Sequence, residues 1–248
     1  MGPLFVVSDV HGHRDDLVDG LVAAGLVTSA GDWCGGDAQL WILGDMTDRG
    51  PDGIGVLDLV MSLQAQAPDQ VNVLMGNHEA LTLGRHRFPE TRFADSWRIN
   101  GGQSHDQEAL TEPHLDWLGS LPLLARVGDY LLMHSDSTAY LSWGDSIEEI
   151  NEAVRGLIVS HDFASHWDVW ARLTSRYHFS GPDGAGVARR MLDTLGGEVI
   201  VHGHSIIGSL IGLASSQVDG PALYAEGQVL AVDGGKYDGG PLLVVRLD

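Results

Sequence analysis

The sequence predicts an α/β fold, and two observations indicate it. Short apolar β-like segments alternate with longer segments in which apolar residues recur at helical spacing. Several β-like segments are followed at once by polar residues of the types that bind metal ions. In open α/β sheets, residues beyond the carboxyl ends of the strands converge on one site. We therefore expect a single α/β domain over residues 1–248 with one polar site at its strand ends.

The elements follow in order along the chain. The apolar segment 4–7 leads into Asp9 and His11, and Leu17 and Leu21 then recur at helical spacing. Residues 138–195 include a helical pattern from Ile147 to Leu157, and we expect a helical insertion over the site there. The remaining β-like segments are 39–43, 71–75, 130–133, 198–201, 228–232 and 242–247.

Composition and charge exclude several classes of protein. With 34 acidic and 14 basic residues the net charge is −20, so binding to nucleic-acid phosphates is unfavourable. The one cysteine, Cys34, excludes an intramolecular disulfide and a thiolate zinc cluster. There is no apolar stretch of membrane-spanning length and no basic leader before Asp9. These features predict a cytoplasmic protein that binds neither nucleic acid nor membranes.

Five short motifs follow the β-like segments in a fixed order. Alone, each could be a helix cap or a turn. We put the probability that all five occur in this order by coincidence at roughly a few per cent or less. The motifs are Asp9-Val10-His11, Gly44-Asp45-Met46-Thr47-Asp48-Arg49-Gly50, Gly76-Asn77-His78-Glu79, His134 and His202-Gly203-His204.

These residue types suit a pair of divalent metal ions about 3.5 to 4 Å apart. Asp45 is the predicted bridging ligand. We assign Asp9, His11 and His204 to one ion, and Asn77, His134 and His202 to the other. Mixed nitrogen and oxygen ligands without thiolate favour manganese, with iron or zinc as alternatives. The ions would activate a bridging hydroxide for attack on a phosphate ester.

The remaining motif residues suggest roles toward the substrate. His78 is placed to protonate the leaving alkoxide, and Asp48 is placed to orient His78. The planar guanidinium of Arg49 suits phosphate oxygens, and Asn77 is a second phosphate contact. Arg172 is the predicted second clamp, with Arg176 as its competitor.

The motifs resemble those of the calcineurin-like metallophosphoesterases, in particular the phosphoprotein phosphatase branch with its bacterial and Shewanella-type members. The resemblance extends over almost the whole chain, through 97–102, 121–122 and 201–205, and Asp48-Arg49-Gly50 is the branch-specific element. It implies a four-layer α/β/β/α fold of two mixed sheets flanked by helices. It also implies that Asp48 pairs with the histidine acid and that Arg49 holds phosphate.

Two segments depart from the family pattern. Glycine or alanine usually follows the histidine at position 134, whereas this chain has Ser135-Asp136. The segment 102–105 also differs, and His105 is a candidate for a position near the substrate. Both departures bear on substrate choice.

Three functions fit the motifs. The first is a phosphatase for phosphate monoesters, either phosphoserine and phosphothreonine in proteins or a small phosphorylated metabolite. The second is hydrolysis of a dinucleoside polyphosphate such as diadenosine tetraphosphate. The third is a non-catalytic metal-binding scaffold, against which the intact His78, Asp48 and Arg49 argue. The motifs do not specify an oligomeric state.

Overall fold

The computed structural model describes residues 2–247. Its strands are β1 (Leu4–Val7), β2 (Gln39–Ile42), β3 (Val71–Val73), β4 (Leu124–Val127), β5 (Tyr130–Met133), β6 (Val199–His202), β7 (Ala222–Tyr224), β8 (Val229–Ala231) and β9 (Val245–Leu247). Its α-helices are α1 (Arg14–Ala23), α2 (Gly53–Gln66), α3 (Asn77–Arg87), α4 (Arg92–Ile99), α5 (Ser104–Ala109), α6 (Glu112–Ser120), α7 (Ile147–Val159), α8 (Phe163–Leu173), α9 (Gly184–Leu195) and α10 (Ile207–Ile211).

The strands form two mixed sheets. The first has the order β3-β2-β1-β9, in which only β9 is antiparallel to its neighbour. The second has the order β4-β5-β6-β8-β7, with parallel β5, β6 and β8 between antiparallel edge strands. Crossover connections join parallel strands. Because the central strands of each sheet run in the same direction, their carboxyl ends lie at one edge of that sheet.

The two sheets pack face to face, and helices cover their outer faces. Between the sheets lies an apolar layer to which Val6 of β1 and Val201 of β6 both contribute. On the outside, α1 and α2 cover the first sheet, while α7 and α9 cover the second. Each fully buried aliphatic side chain stabilises such a layer by about 1.5 to 3 kcal/mol. This is the four-layer α/β/β/α arrangement that the resemblance implied, and that expectation is confirmed.

Residues 138–195 are largely helical, but most of them form a structural layer. Helices α7 and α9 pack against the second sheet, and α8 packs against α3. The segment after α8 reaches the strand-end loops, where the Thr174 carbonyl accepts a hydrogen bond from His204 Nε2 (3.1 Å), and so does Tyr140, whose hydroxyl accepts one from the Ser135 amide (3.1 Å). That residues 138–195 form an insertion over the site stays a prediction.

The prediction of strands was accurate at the sheet centres and incomplete at the edges. Strands β4 and β7, both at the edge of the second sheet, were not predicted, and neither were α4 to α6. Within residues 2–247 no helix is long and apolar enough to cross a membrane.

Candidate metal centre and active site

The loops that leave the central strands converge at one place between the sheets. Hydrogen bonds join them: the His11 amide donates to the Asp45 carbonyl (2.9 Å), and the His204 amide donates to Asp9 Oδ2 (2.8 Å). The second bond links a loop of the second sheet to one of the first. The buried polar residues that follow β1, β2, β3, β5 and β6 are Asp9, Asp45, Asn77, His134 and His204.

Backbone strain is concentrated at this centre. In residues 2–247, nine non-glycine residues have a positive φ, and six of them are motif residues. Such conformations cost about 1 to 3 kcal/mol each and persist where the surroundings impose them. The surrounding structure therefore holds these loops in unfavourable backbone conformations, which set the directions of their side chains. The six are Asp9, His11, Asp45, Asp48, Arg49 and His204.

Close packing explains one glycine of the last motif. A Cβ at Gly203 would collide with Ser8 Oγ and Asp9 Oδ2. Ser8 Oγ also donates to Asp9 Oδ2 (2.6 Å). Gly203 therefore lets the loop after β6 lie directly on the Asp9 carboxylate.

Glu79 fixes the loops of the first sheet from behind. Its carboxylate accepts hydrogen bonds from the amides of Asp45, Met46 and Gly76, each 2.8 Å long. The motif Gly76-Asn77-His78-Glu79 thus supplies a cap for α3 and a brace for the Asp45 loop. Burial raises the pKa of Glu79, and these amide hydrogen bonds oppose that shift.

Hydrogen bonds to backbone carbonyls fix the orientation of His11. Its Nδ1 donates to the Thr47 carbonyl (2.9 Å), which leaves the Nε2 lone pair free. This buried Nε2 has no hydrogen-bond partner among the described residues. It faces Asp45 Oδ2 at 3.6 Å and Asp9 Oδ1 at 3.8 Å. A lone pair facing two carboxylates fits a cation between them.

The second group of potential ligands lies on the other side of Asp45. His134 Nδ1 donates to the Leu43 carbonyl (2.9 Å), so its Nε2 lone pair faces Asn77 Oδ1 at 3.0 Å and Asp45 Oδ1 at 3.3 Å. His204 Nε2 donates to the Thr174 carbonyl (3.1 Å), which leaves its Nδ1 free. Metal-binding histidines typically donate their other ring nitrogen in this way.

Asp45 lies in both groups of residues that could hold a metal ion. One group is His11, Asp45 and His78, and the other is Asp45, His134 and His204. Burial, and then the charges of Asp9 and Glu79, raise the pKa of Asp45 well above its usual value. Clustered buried carboxylates of this kind are stabilised by bound cations. The residues present therefore fit a pair of divalent ions bridged by Asp45.

His202 lies outside this centre, and its prediction as a ligand conflicts with the geometry. Its Nε2 hydrogen-bonds the Tyr224 hydroxyl (2.8 Å), and its Nδ1 lies 2.7 Å from the Gly203 carbonyl oxygen. Both ring nitrogens are therefore engaged elsewhere. His204 lies with Asp45 and His134, although the sequence analysis grouped it with Asp9 and His11. His204 lies two residues beyond the end of β6 and has a φ of +64°, so the turn after the strand sends its side chain in a different direction from that of His202.

Arg172 also lies away from the centre, which corrects its assignment as the second phosphate clamp. Its Nε donates to Asp168 Oδ2 (2.7 Å) one turn earlier on α8, and its guanidinium lies 5.8 Å from the Trp143 ring centroid. Arg176, three residues beyond the end of α8, faces the centre. Burial is the first cause of the lowered pKa values of His78 and His204, and the positive charge of Arg176 adds to it.

His78 and Asp48 form a hydrogen-bonded pair beside the bridging carboxylate. His78 Nδ1 lies 2.7 Å from Asp48 Oδ2, and its buried Nε2, which no described residue contacts by a hydrogen bond, lies 3.9 Å from Asp45 Oδ2. Trp97 Nε1 donates to the other oxygen of Asp48 (3.0 Å). Burial lowers the pKa of His78 and raises the pKa of Asp48 to about 7. The hydrogen bond to Asp48 therefore orients the His78 ring with its Nε2 toward Asp45.

Arg49 is held at two points. Its Nε lies 3.4 Å from the Asn100 carbonyl, and its guanidinium carbon lies 3.9 Å from the centroid of the Tyr237 ring. The same ring meets the edge of His11 at 5.1 Å between centroids. Tyr237 belongs to the loop after β8, which Lys236 ties to Asp16 (2.6 Å). Arg49 is thus oriented at the mouth of the centre.

Sequence reasoning missed several residues of this centre. Tyr237 and the buried Asp233 come from the glycine-rich segment between the β-like segments 228–232 and 242–247, to which the sequence analysis assigns no role. Asp233 Oδ2 is buried without a hydrogen-bond partner in the described part of the chain, and the charge of Asp9, after burial, raises its pKa. An aspartate directly after a β-like segment was the available signal. His105, in contrast, is exposed and contacts the Pro51 carbonyl (3.0 Å).

A family model agrees with the fold and the centre. Residues 2–208 match the model of the calcineurin-like phosphoesterases. The chain belongs to this family, whose members are metal-dependent phosphoesterases.

Individual relatives include enzymes of two kinds. A serine/threonine-protein phosphatase of Caenorhabditis elegans is 24% identical over 83% of this chain and 43% of its own length. A symmetrical bis(5'-nucleosyl)-tetraphosphatase of Hamiltonella defensa is 28% identical over 61% of this chain and 52% of its own. The chain thus spans about half the length of these relatives.

A solved structure shares the fold over the full length of the chain. The cold-active protein-tyrosine phosphatase of a psychrophilic Shewanella species has a TM-score of 0.73 and 23% identity, and the match covers 100% of this chain and 76% of that one. At this identity the likeness supports the four-layer fold alone.

Proposed function

We propose that the chain is a phosphatase that hydrolyses phosphate monoesters with two divalent metal ions. The observation that carries the proposal is the His78–Asp48 pair beside Asp45. A proton donor, buried and oriented by a carboxylate, lies 3.9 Å from the carboxylate that both candidate metal groups share. Breaking a phosphate ester by attack of water requires this combination of cations and acid.

We assign the ligands by their geometry. Asp9, His11 and Asp45 would hold one ion, and Asp45, Asn77, His134 and His204 would hold the other. When bound, two divalent ions lower the pKa of a shared water and neutralise phosphate charge. Manganese is our first candidate, with iron or zinc as alternatives, because the donors are imidazoles and oxygens without thiolate.

The chain's own groups then act on the substrate. Arg49 presents a planar fork of donors to the nonbridging phosphate oxygens, and Arg176 supplies a second positive charge. Asn77, through the amide nitrogen left free while its oxygen faces His134, contacts the same phosphate. His78, hydrogen-bonded to Asp48, donates a proton from Nε2 to the departing oxygen. These local cations offset the net charge of −20, which repels anionic substrates at long range.

The substrate we favour is phosphoserine or phosphothreonine in a protein, or a small phosphorylated metabolite. The C. elegans relative supports the first. The Hamiltonella relative favours a second candidate function, hydrolysis of a dinucleoside polyphosphate. Both reactions would use the same ligands and the same acid.

One assay separates these possibilities. Metal-stripped protein is given manganese, magnesium or no metal, and is tested on p-nitrophenyl phosphate, a phosphothreonine peptide and diadenosine tetraphosphate. We expect manganese-dependent release of phosphate from the two monoesters. Cleavage of the dinucleotide alone would move the function to nucleotide hydrolysis. If manganese-loaded protein turned over none of the three substrates, the catalytic proposal would be wrong and a metal-binding scaffold would remain.

A further inference from the structure

We propose that Asp136 is a positioning residue, which holds segment 174–178 against the metal centre and thereby places Arg176. This inference rests on the proposed function, because Arg176 is assigned there to the substrate phosphate. Asp136 belongs to the departure from the family pattern after His134, which the catalytic scheme leaves without a role. It does not contact the substrate in this proposal and acts only through segment 174–178.

Asp136 binds the segment through both its side chain and its backbone. Its Oδ2 accepts a hydrogen bond from the Tyr177 amide (2.8 Å), and its carbonyl accepts one from the His178 amide (3.1 Å). Its Oδ1 accepts a hydrogen bond from Ser205 Oγ (2.6 Å). The fully buried carboxylate therefore connects the loop after β5, the loop after β6 and segment 174–178.

A second contact holds the other end of the segment. The Thr174 carbonyl accepts the hydrogen bond from His204 Nε2 (3.1 Å). Arg176 lies between this contact and the Tyr177 amide, so the residue that carries the positive charge is fixed on both sides. One of the two contacts is made by a proposed metal ligand and the other by Asp136. The segment is thus attached to the centre as well as to the end of α8, where the Thr174 amide donates to the Trp170 carbonyl (3.0 Å).

The backbone of the segment shows that these contacts impose its path. Tyr177 has a φ of +68°, a conformation that is unfavourable for a residue with a bulky side chain. His178 reinforces the turn, since its Nδ1 accepts a hydrogen bond from the Thr138 amide (3.0 Å). Without the Asp136 carboxylate, the Tyr177 amide would lose its buried acceptor, and the strained turn would relax. Arg176, which directly precedes Tyr177, would then lose its fixed position.

The purpose of such an attachment follows from the chemistry of arginine. A long, flexible side chain loses conformational freedom when it binds, and part of the binding energy offsets that loss. Fixing the backbone on both sides of Arg176 reduces the loss. Phosphate should therefore bind more weakly when the attachment is removed, even though every group that contacts it is still present.

The test compares Asp136→Ala, Asp136→Asn, Arg176→Ala and the double variant Asp136→Ala/Arg176→Ala. Asparagine retains a carbonyl oxygen for the Tyr177 amide and serves as the conservative control. Hydrogen–deuterium exchange is measured on peptides that cover 174–178, and bound manganese is measured by elemental analysis. Turnover of p-nitrophenyl phosphate and inhibition by orthophosphate are measured for each manganese-loaded protein.

We expect Asp136→Ala to accelerate exchange in 174–178 and to retain its manganese. Its kcat/KM should fall, and its inhibition constant for orthophosphate should rise, by about 10- to 100-fold, the effect of one hydrogen bond to a charged group. Arg176→Ala should show a similar loss with little change in exchange. The double variant should be within about threefold of Arg176→Ala, and Asp136→Asn within about threefold of the unsubstituted protein.

Several results would overturn the inference. Unchanged exchange in Asp136→Ala would show that the carboxylate does not hold the segment. Loss of manganese would mean that Asp136 supports the ligand His134 instead. Additive losses in the double variant would separate Asp136 from Arg176. If the unsubstituted protein had no turnover, the proposed function would fail, and exchange together with orthophosphate binding would still decide the role of Asp136.

Discussion

The proposed metal ligands and the two arginines assigned to the phosphate belong to one proposed site, yet different parts of the fold hold them. The ligands stand on loops that leave central strands, and backbone carbonyls or amides of neighbouring loops orient them. Arg49 depends on the Tyr237 ring, and Arg176 on segment 174–178. The loops that leave the sheets thus hold the proposed metal ligands, which form the cation side of the site. Loops distant in sequence hold the two arginines, which form its phosphate side. Substrate preference can therefore change without disturbing the metals.

The acid lies between these two sides, and its removal should have the largest effect. His78→Asn leaves Asp45, Asn77 and the other ligands in place, but it removes the proton donor. We expect turnover to fall by about 10²- to 10⁴-fold while manganese content stays constant. Activity is measured on p-nitrophenyl phosphate and metal by elemental analysis. Loss of metal would instead place His78 among the ligands, as its position near His11 and Asp45 would also allow.

A pair of matched variants tests which histidine of His202-Gly203-His204 binds metal. His204→Ala should weaken manganese binding by about 100-fold or more, since even residues behind the ligands contribute 10- to 100-fold. His202→Ala should keep its affinity for manganese and lose about 1 to 3 kcal/mol of stability, because the Tyr224 hydroxyl loses its buried partner. Titration calorimetry and thermal unfolding measure the two quantities. The reverse result would restore the assignment of His202 as a ligand.

The phosphate side should respond to Tyr237 without a change in metal content. Tyr237→Leu removes the ring that lies against the Arg49 guanidinium, and we expect kcat/KM to fall by about 3- to 30-fold, as for a cation–π contact. Tyr237→Phe keeps the ring and should recover most of this loss. If phenylalanine were as harmful as leucine, the hydroxyl rather than the ring would be the important group.

The smallest effect concerns stability and its dependence on pH. Burial raises the pKa of Asp48 from an ordinary carboxyl value to about 7, so the folded protein binds this proton more tightly than the unfolded chain. The contribution of Asp48 to stability is therefore full below pH 4 and decreases as the pH rises towards 7. Metal-free Asp48→Asn should be more stable than the unsubstituted protein at pH 8 by about 1 to 3 kcal/mol. The two should converge near pH 4 in urea unfolding experiments.

The contrast between residues at strand ends and residues held by distant loops also explains which parts of the site the sequence could predict. Asp9, Asp45, Asn77 and His134 follow β-like segments directly, so local pattern and the geometry of parallel strands are sufficient to group them. Their confirmation as ligands still requires the metal measurements above. The sheet centres were predicted for the same reason, whereas the edge strands β4 and β7 are mostly half-buried or exposed and show no clear pattern.

Side-chain direction and distant packing were beyond the sequence. His202 and His204 are the same residue type in one short motif, so the sequence does not distinguish them. Only the path of the chain after β6 shows which of the two lies near Asp45. Arg172 and Arg176 differ by about one helical turn, and the end of α8 at Leu173 decides between them. Tyr237 reaches Arg49 only because Lys236 and Asp16, far apart in sequence, hold its loop in place.

The carboxylate of Glu79 has a consequence for the supply of metal. Because it accepts hydrogen bonds from the amides of Asp45, Met46 and Gly76, the chain itself holds the loops that carry the proposed ligands. We expect the ions to leave and return without refolding of the chain. Affinities of such donor sets increase from manganese to zinc, and the ion that is bound also depends on which metal is available. The metal found in the cell should then reflect which ion is abundant when the chain is made.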